Sequence, residues 1–589
     1  MAKYTTVAEA IARVGIDHPE QDYVFQNMQG EETSYPFPDV EKATAKRAAA
    51  LQELGLQKGD RVGLIVIEPE DFVLTFLAAV RIGVLPVPLY PPMSFGSLDA
   101  YVERTAKVLD TSESSILIAS TKLENVLWGL VDRVPSLRKL VRVEGLKESN
   151  RTPNFPEITP EDTCFLQYTS GSTSDPKGVI VTHANLIENC HQIIVNRLKM
   201  TPEASKGVSW LPLYHDMGLI GFVLAPLVNG IPVVFIPTMR FIKRPSVWLD
   251  TIHRHRGTQT FAPNFAYALA TRRVRKADLE RWDLSCLKSC GCGAEPIQPE
   301  TVRAFTDLFS EKCDMPRTAV LPAYGMAEAT LAIAFKPLDE EMKTNIVDAA
   351  TYEGDGKVVE PVEGQPYLEH VSCGPAFDGH EVVAMDDEGN ILPEGTEGEL
   401  CLRGPSNTKG YYKNPEATAA THRNGWLHTG DLGYMLDGEV YITGRLKDLI
   451  ILNGRNIHPQ SIEWVAAEVK HVRKGNVVAF SRPGQRSEEL VLACETRLDD
   501  TAELEAAVRQ LVQKELSLAI DHLVFIKPGS LPKTSSGKLQ RRKTRQLYLN
   551  GDLLGRGSRQ AGATADKLTL AKHVAASIWS RAKATALLR

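Results

Sequence analysis

Between Tyr168 and Gly178 the chain reads YTSGSTSDPKG. Small and hydroxyl-bearing residues at this density leave backbone N–H groups and hydroxyls free to converge on one anion, which suits phosphate oxygens. Lys177 adds a point charge at the end of the run. The Gly-Lys-[Ser/Thr] order of a Walker A loop is missing. A plain flexible turn is the alternative, disfavoured by the apolar strand pattern before the loop and the helix pattern after it. Cys286, Cys290 and Cys292, in SCLKSCGCGAEP, have metal-ligating side chains. No matching Cys/His pair lies nearby, so a buried strand entering a glycine turn is the favoured reading.

Four further segments follow in order: LPLYHDMGL (211–219), PAYGMAEAT (322–330), GWLHTGDLGY (425–434) joined to TGRLKDLIILNGRNIHPQSIE (443–463), and LPKTSSGKLQR (531–541). With the phosphate loop, they resemble the adenylate-forming superfamily of acyl-CoA synthetases, non-ribosomal adenylation domains and firefly luciferase. Five ordered motifs over most of a chain are specific where a single match is not. The resemblance implies activation of a carboxylic acid by ATP, as acyl-AMP with release of pyrophosphate.

It also distributes roles. Thr169, Ser170, Gly171, Ser172, Thr173 and Lys177 would hold phosphate. Gly293, Ala294 and Glu295, with Tyr324, Gly325 and Met326, would frame the adenine; alone, these segments read as a turn and a core aromatic. Glu328 offers hard oxygens for Mg²⁺ against the triphosphate. Asp431 can accept both ribose hydroxyls, and Arg445 offers fixed donors to the same sugar; a surface ion pair is the alternative. Lys538 is the main catalytic candidate, because attack on the α-phosphate builds negative charge that an ammonium stabilises. His215 corresponds to a histidine between the acid and ATP pockets of relatives, where it would orient the carboxylate; a packed structural histidine is the alternative.

Several phrases are closest to the fatty-acyl-AMP ligase branch: FLQYTSGST, SWLPLYHDMGLIG, APNFAY followed by RRV, and NGRNIHPQSIE. That branch passes the acyl group to the phosphopantetheine thiol of an acyl carrier protein, or of a carrier domain in a polyketide or non-ribosomal peptide system, and uses coenzyme A poorly. Its insertion would correspond to about 336–369, a polar stretch too long for an ordinary loop, with Val358, Val359 and Tyr367 as apolar points that stick to the body. A passive surface loop is the alternative. The stretches IGFVLAPLV, APNFAYALA and TLAIAF can line an acyl tunnel or simply be core helices. An acyl-CoA synthetase is the rival enzyme, and a nucleotide-binding regulatory protein without catalysis is the rival from another class.

Positioning these residues requires α/β architecture. Apolar runs at 61–67, 84–90, 116–120, 207–213, 231–237 and 258–263 alternate with amphipathic stretches, as in parallel strands covered on both faces. Asp39 is the expected N-cap of a helix ending at Leu54, and a second helix is expected from Glu70 to Ile82. Residues 371–447, rich in glycine, β-branched residues and the turn pairs Gly389-Asn390 and Asp437-Gly438, predict a β subdomain. The expected organisation is an N-terminal domain over 1–447 of doubly wound α/β layers plus that subdomain. A small mobile α+β lid follows over 448–550, hinged at Asp448, and then a linker and helix over 551–589. The basic run 540–545 faces either an acidic carrier or solvent.

The chain has 589 residues, 43% hydrophobic and 24% charged, with net charge −6. This is globular composition on a scale of two or more domains. It carries no basic footprint for nucleic acid. No apolar run reaches the length of a membrane span and no signal pattern opens the chain, so a cytoplasmic protein is expected.

Overall fold

The computed structural model describes residues 2–92, 98–169, 176–452, 455–484, 488–534 and 537–553. Its largest sheet has eight strands, in the order Ala332–Phe335, Val320–Gly325, Ser289–Cys292, Gln259–Ala262, Gly207–Ser209, Val233–Phe235, Asp22–Gln26 and Glu32–Pro36. Neighbours are parallel except at the two edges. Inner strands such as Gln259–Ala262 and Ser289–Cys292 are buried along their whole length, as a parallel sheet covered on both faces demands. A second, four-stranded parallel sheet joins Leu85–Pro88, Arg61–Ile65, Ile116–Ala119 and Lys139–Arg142. Each apolar run read from the sequence therefore holds a strand of one of these two sheets.

Asp39 does not cap its helix. The helix begins at Phe37 with proline in its first turn, which places Asp39 inside it, where its charge still suits the positive end of the helix dipole. The other expected helix spans Pro69–Arg81. Cys290 and Cys292 lie in the buried strand, and burial pushes the Cys290 thiol up to about 12. Among the described residues the cysteine trio forms no metal-sized cluster; the only group of that kind is Glu399, Cys401 and His428.

A third, antiparallel sheet of seven strands is ordered Thr344–Asp348, Tyr367–Pro375, Glu439–Arg445, Trp426–Leu436, Gly398–Arg403 and Glu381–Met385, with His422–Arg423 paired to Trp426–Leu436. Asp437 and Gly438, at φ +52° and +73°, close the hairpin between Trp426–Leu436 and Glu439–Arg445. Both positive φ values match the two-residue turn that Asp-Gly favours.

This sheet begins at Thr344, well before the expected 371. The stretch 336–369 is not one long loop, because it contains a strand, the helix Ala349–Asp355 and the start of the next strand. The Asp348 side chain caps that helix by accepting from the Thr351 amide at 2.8 Å. Val358 packs against the adjoining small apolar cluster. Val359 and Tyr367 are exposed, 47% and 59%, so they do not fasten the segment to the body as expected.

The C-terminal part pairs Ile450–Leu452 with Arg455–Ile457 and builds a three-stranded sheet from Val477–Pro483, Glu488–Glu495 and His522–Ile526. Helices Pro459–Ala467, Ala502–Leu516 and Arg541–Leu549 pack around these strands. Leu553 is buried in this core, three residues beyond the expected end of the lid. The expected terminal helix lies outside the described residues. Among the described residues, no helix is long and apolar enough to cross a membrane.

Candidate active site

The large sheet, the antiparallel sheet and the C-terminal part enclose a cleft of about 3050 Å³. Strands Val320–Gly325 and Ser289–Cys292 deliver their following turns to it, consistent with ligand sites at the carboxyl ends of parallel strands. Thr169 ends the strand Thr163–Thr169, and Lys177 begins the antiparallel strand Lys177–Thr182. Ser170, Gly171, Ser172 and Thr173 lie outside the described residues.

Lys538 enters this cleft from the C-terminal part. Its backbone closes a tight loop: the Thr534 amide donates to the Lys538 carbonyl at 2.7 Å, and the Lys538 amide donates to Thr534 Oγ1 at 3.0 Å. Burial pulls the ammonium below the ordinary lysine range; Asp216 opposes this most strongly, Arg445 reinforces it, and Glu295 and Asp431 also oppose it. Asp216 is the counterpart. Burial opposes its ionisation, yet His215 and Lys538 hold it below the usual carboxylate range. His215 Nδ1 is 2.5 Å from Asp216 Oδ1. The histidine is therefore tied to its neighbour and lines the same cleft as Lys538.

Asp431 and Arg445 face each other across adjacent strands. Arg445 Nε donates to Asp431 Oδ1 at 3.1 Å, and the Tyr324 hydroxyl donates to Oδ2 at 2.9 Å. Each carboxylate oxygen thus already carries one donor, in a residue only 8% exposed. Met326 follows on the same segment and lines the cleft. Gly325 is obligatory there, since a Cβ would run into the Leu331 carbonyl oxygen.

Glu328 lies on the next turn. Burial pushes its carboxyl above the usual range; Tyr411 opposes this by donating its hydroxyl to Oε1 at 2.7 Å. Lys177 Nζ sits 4.9 Å from the centroid of the Tyr411 ring, so one tyrosine joins the lysine of the phosphate loop to the buried carboxylate. Two residues on, Thr330 has φ +71° and donates its hydroxyl to the Ser406 carbonyl at 2.6 Å. Ala294, at φ +66°, occupies the same unfavourable region. Backbone strain of this kind persists only where the surroundings over-determine it. The adjoining Glu295 accepts the Phe265 amide at 2.8 Å, and a Cβ on Gly293 would stand 2.6 Å from the Ala323 carbonyl oxygen.

Sequence reasoning missed Tyr411 and the part played by Asp216. Tyr411 lies in GYYKNP, outside the five motifs, and nothing local marks it. Asp216 was legible as the acid following His215, but its proximity to Lys538 depends on how the C-terminal part docks.

Asp448 follows the strand Glu439–Arg445 and is clamped. Arg541 donates to Asp448 Oδ2 at 2.6 Å, to Glu463 Oε1 at 2.7 Å and to the Ala479 carbonyl at 2.9 Å. Arg541 is therefore not a docking residue of the basic run, and the Arg545 Nε is likewise spent on the Ser481 carbonyl. The helix Ala349–Asp355 also reaches this region. Glu353 pairs with Arg455, and the Tyr352 hydroxyl donates at 2.7 Å to Glu397, whose Oε1 lies 3.0 Å from His458 Nε2.

Residues 11–412 match the family described as AMP-binding enzyme, and the chain belongs to that adenylate-forming family. A Caulobacter vibrioides protein carrying the name acyl-CoA synthetase is 38% identical over 522 residues, covering 88% of this chain and 90% of its own. The medium-chain-fatty-acid–acyl-carrier-protein ligase JamA of Moorena producens is 32% identical over 562 residues, covering 90% and 92%. A structure from a study of fatty acyl-adenylate ligases of E. coli and L. pneumophila superposes with TM-score 0.88 at 33% identity, covering 93% of this chain and 98% of the other.

Replacing Arg541 with alanine leaves the Asp448 and Glu463 carboxylates without their shared cation. Losing one partner of a buried ionic group costs about 3–5 kcal/mol. Limited proteolysis is expected to cut the variant near residues 448–460 well before the wild type, and identical cleavage kinetics would contradict the clamp.

Proposed function

We propose that this protein is a fatty-acyl-AMP ligase that activates a fatty acid with ATP and transfers the acyl group to the phosphopantetheine thiol of a carrier protein. What supports the adenylation step is that Lys538, Asp216, Glu295 and Asp431 line one cleft with an apolar recess, where the three carboxylates oppose the loss of charge that burial imposes on the ammonium. In this reading Lys538 stabilises the negative charge that develops as the carboxylate attacks the α-phosphorus and pyrophosphate leaves. Asp431 and Arg445 hold the ribose, with Tyr324 fixing the carboxylate; the segments 293–295 and 324–326 hold the adenine. Lys177 holds phosphate oxygens, and His215, oriented by Asp216, positions the substrate carboxylate.

Glu328 fits a Mg²⁺ ion. It is a buried carboxylate whose Oε1 is taken by a neutral hydroxyl, and Asp216 and Asp431 add negative charge around it. The ion would supply charge neutralisation to the triphosphate.

Ile193, Ile194, Leu198, Phe222 and Leu331 line the apolar part of the cleft. Here the helix after His183–His191 widens, with the Leu198 amide bonding the Ile193 carbonyl five residues back, a local expansion often found at ligand sites. Each methylene buried in such a recess contributes about 0.8 kcal/mol, which favours medium and long chains over acetate.

The name of the Caulobacter relative favours an acyl-CoA synthetase as a second reading. Rotation of a lid after adenylation is the step that admits a thiol. The ties Glu353–Arg455 and Tyr352–Glu397–His458 oppose that rotation for any thiol acceptor, which supports acyl-AMP formation as the step this pose favours, with little transfer to free coenzyme A. A bias of a few kcal/mol between two poses suppresses the minor one almost entirely.

Two outcomes follow. Lys538→Ala is expected to lower ATP–pyrophosphate exchange by about 10²–10³-fold with ATP binding weakened much less, on the scale of one lost transition-state contact; unchanged exchange removes Lys538 from the mechanism. The wild type is expected to make acyl-AMP with little acyl-CoA, and Glu353→Ala, or deletion of about 350–366, to raise acyl-CoA output. Efficient wild-type acyl-CoA synthesis would replace the ligase reading with the synthetase one, whereas a folded variant still unable to use coenzyme A would clear the insertion of this role.

A further inference from the structure

Three side chains able to ligate a metal converge on the antiparallel sheet, and none of them lines the cleft. Glu399 and Cys401 stand two apart on the strand Gly398–Arg403, so both point to one face. Cys401 lies opposite His428, whereas Glu399 lies opposite Leu432, and the register shifts between them. Such a bulge re-aims side chains. Here it brings His428 Nδ1 to 2.7 Å from Glu399 Oε2 and 3.3 Å from Cys401 Sγ. One ligand atom of each residue lies within 4.8 Å of the other two. Cys401 is fully buried, and the His428 and Glu399 side chains are only 10% and 17% exposed.

One ring nitrogen is asked to serve too many partners. Arg423 Nη2 stands 2.8 Å from the same His428 Nδ1 and 3.5 Å from Glu399 Oε2. A guanidinium only donates, so its contact needs a lone pair on Nδ1, while the Glu399 contact needs a proton there. The nitrogen cannot meet both demands. With the lone pair in place, an oxygen and a nitrogen acceptor face each other beside a thiol, and a cation leans in from solvent. A divalent ion satisfies all three atoms at once. One thiolate, one imidazole and one carboxylate suit Zn²⁺, whereas Mg²⁺ takes oxygen ligands. Around a tetrahedral zinc, sulfur and nitrogen stand roughly 3.6 Å apart and nitrogen and oxygen roughly 3.3 Å. The sulfur is therefore nearly in place, and the nitrogen–oxygen pair has to open by about 0.6 Å.

We propose that Glu399, Cys401 and His428 form a Zn²⁺ site for which the Arg423 guanidinium is the competing cation, and that filling it weakens nucleotide binding. On binding, the Cys401 S–H bond breaks, its proton passes to solvent and a sulfur–zinc bond forms; water takes the fourth position of the tetrahedron. Arg423 withdraws into solvent. Its side chain is already 51% exposed, and it ends the two-residue strand His422–Arg423 just before the turn at Asn424 and Gly425. The coupling runs through Glu399, whose Oε1 accepts the Gly430 amide at 2.9 Å. Parting Glu399 from His428 strains the bulge at 428–431 and disturbs the register that sets Asp431 opposite Arg445. The coupling rests on the reading of Asp431 as a ribose ligand; the metal site does not.

The test is titration of the untagged full chain with Co²⁺, a spectroscopic stand-in for zinc. The wild type is expected to develop a thiolate-to-cobalt charge-transfer band that Zn²⁺ displaces and excess Mg²⁺ does not. Cys401→Ser is expected to abolish the band, and Glu399→Gln to weaken cobalt binding by about tenfold or more. Arg423→Ala is expected to tighten it severalfold, an effect that a merely structural histidine–glutamate pair would not produce. Metal-free ATP–pyrophosphate exchange retained in Cys401→Ser and Arg423→Ala certifies their folding. In calorimetry, zinc is expected to weaken AMP binding severalfold in the wild type and not in Cys401→Ser. No band in the wild type, or a band that persists in Cys401→Ser, overturns the site. Unchanged cobalt affinity in Arg423→Ala overturns the competition, and equal AMP affinity with and without zinc overturns the coupling. Failure of the ribose reading shows separately, as unaltered AMP affinity in Asp431→Ala.

Discussion

A lysine ammonium taken out of water is stable only where negative charge surrounds it, and Lys538 must be brought to such a place from a different part of the chain. Asp216, Glu295 and Asp431 supply that charge from three separate segments of the body. Each segment is fixed by its own backbone device: the strand-to-turn transition at Gly293 and Ala294, the cross-strand register of Asp431 with Arg445, and the short helical turn that opens with Asp216. The large sheet, the antiparallel sheet and the C-terminal part therefore meet where the ammonium sits. The carboxylates' attraction offsets part of the cost of burying the ammonium, which is still held below the ordinary lysine range, and the same desolvation makes the lysine effective toward charge that develops beside it.

The docked arrangement has further supports outside the cleft. Arg541 ties Asp448 to Glu463, stiffening the C-terminal part just past the junction. Glu397 joins Tyr352 of the inserted helix to His458, and Glu353 pairs with Arg455. In the proposed function adenylation benefits from this closure, and a transfer step that needs the C-terminal part to move would be resisted by it. The balance between these contacts is where the branch of the family to which this chain belongs becomes a matter of energetics.

The parallel strands were legible because continuous apolar runs punctuated by glycine have few alternatives, and the Asp437-Gly438 hairpin because its two residues tolerate positive φ. The motif residues read from the sequence line one cleft, apart from Ser170 to Thr173, which lie outside the described residues. What was illegible was mostly long-range or weakly patterned. The strand Thr344–Asp348 is half exposed and short, with no run of apolar residues to mark it, so the segment around it read as a loop. The Tyr411–Glu328 hydrogen bond joins residues 83 positions apart, and the Glu353–Arg455 pair joins residues 102 apart; neither leaves a local trace. The basic run 540–545 showed the limit of composition, because charge count could not reveal that Arg541 is an internal clamp.

The most direct measurement of the central claim is product analysis after incubating the purified protein with ATP, magnesium and either dodecanoate or acetate, without any thiol acceptor. Dodecanoyl-AMP and pyrophosphate are expected, with acetyl-AMP formed far more slowly. Absence of any acyl-AMP would contradict the assignment of the cleft to adenylation, and equal efficiency with acetate would contradict the assignment of its apolar recess to a fatty-acyl chain.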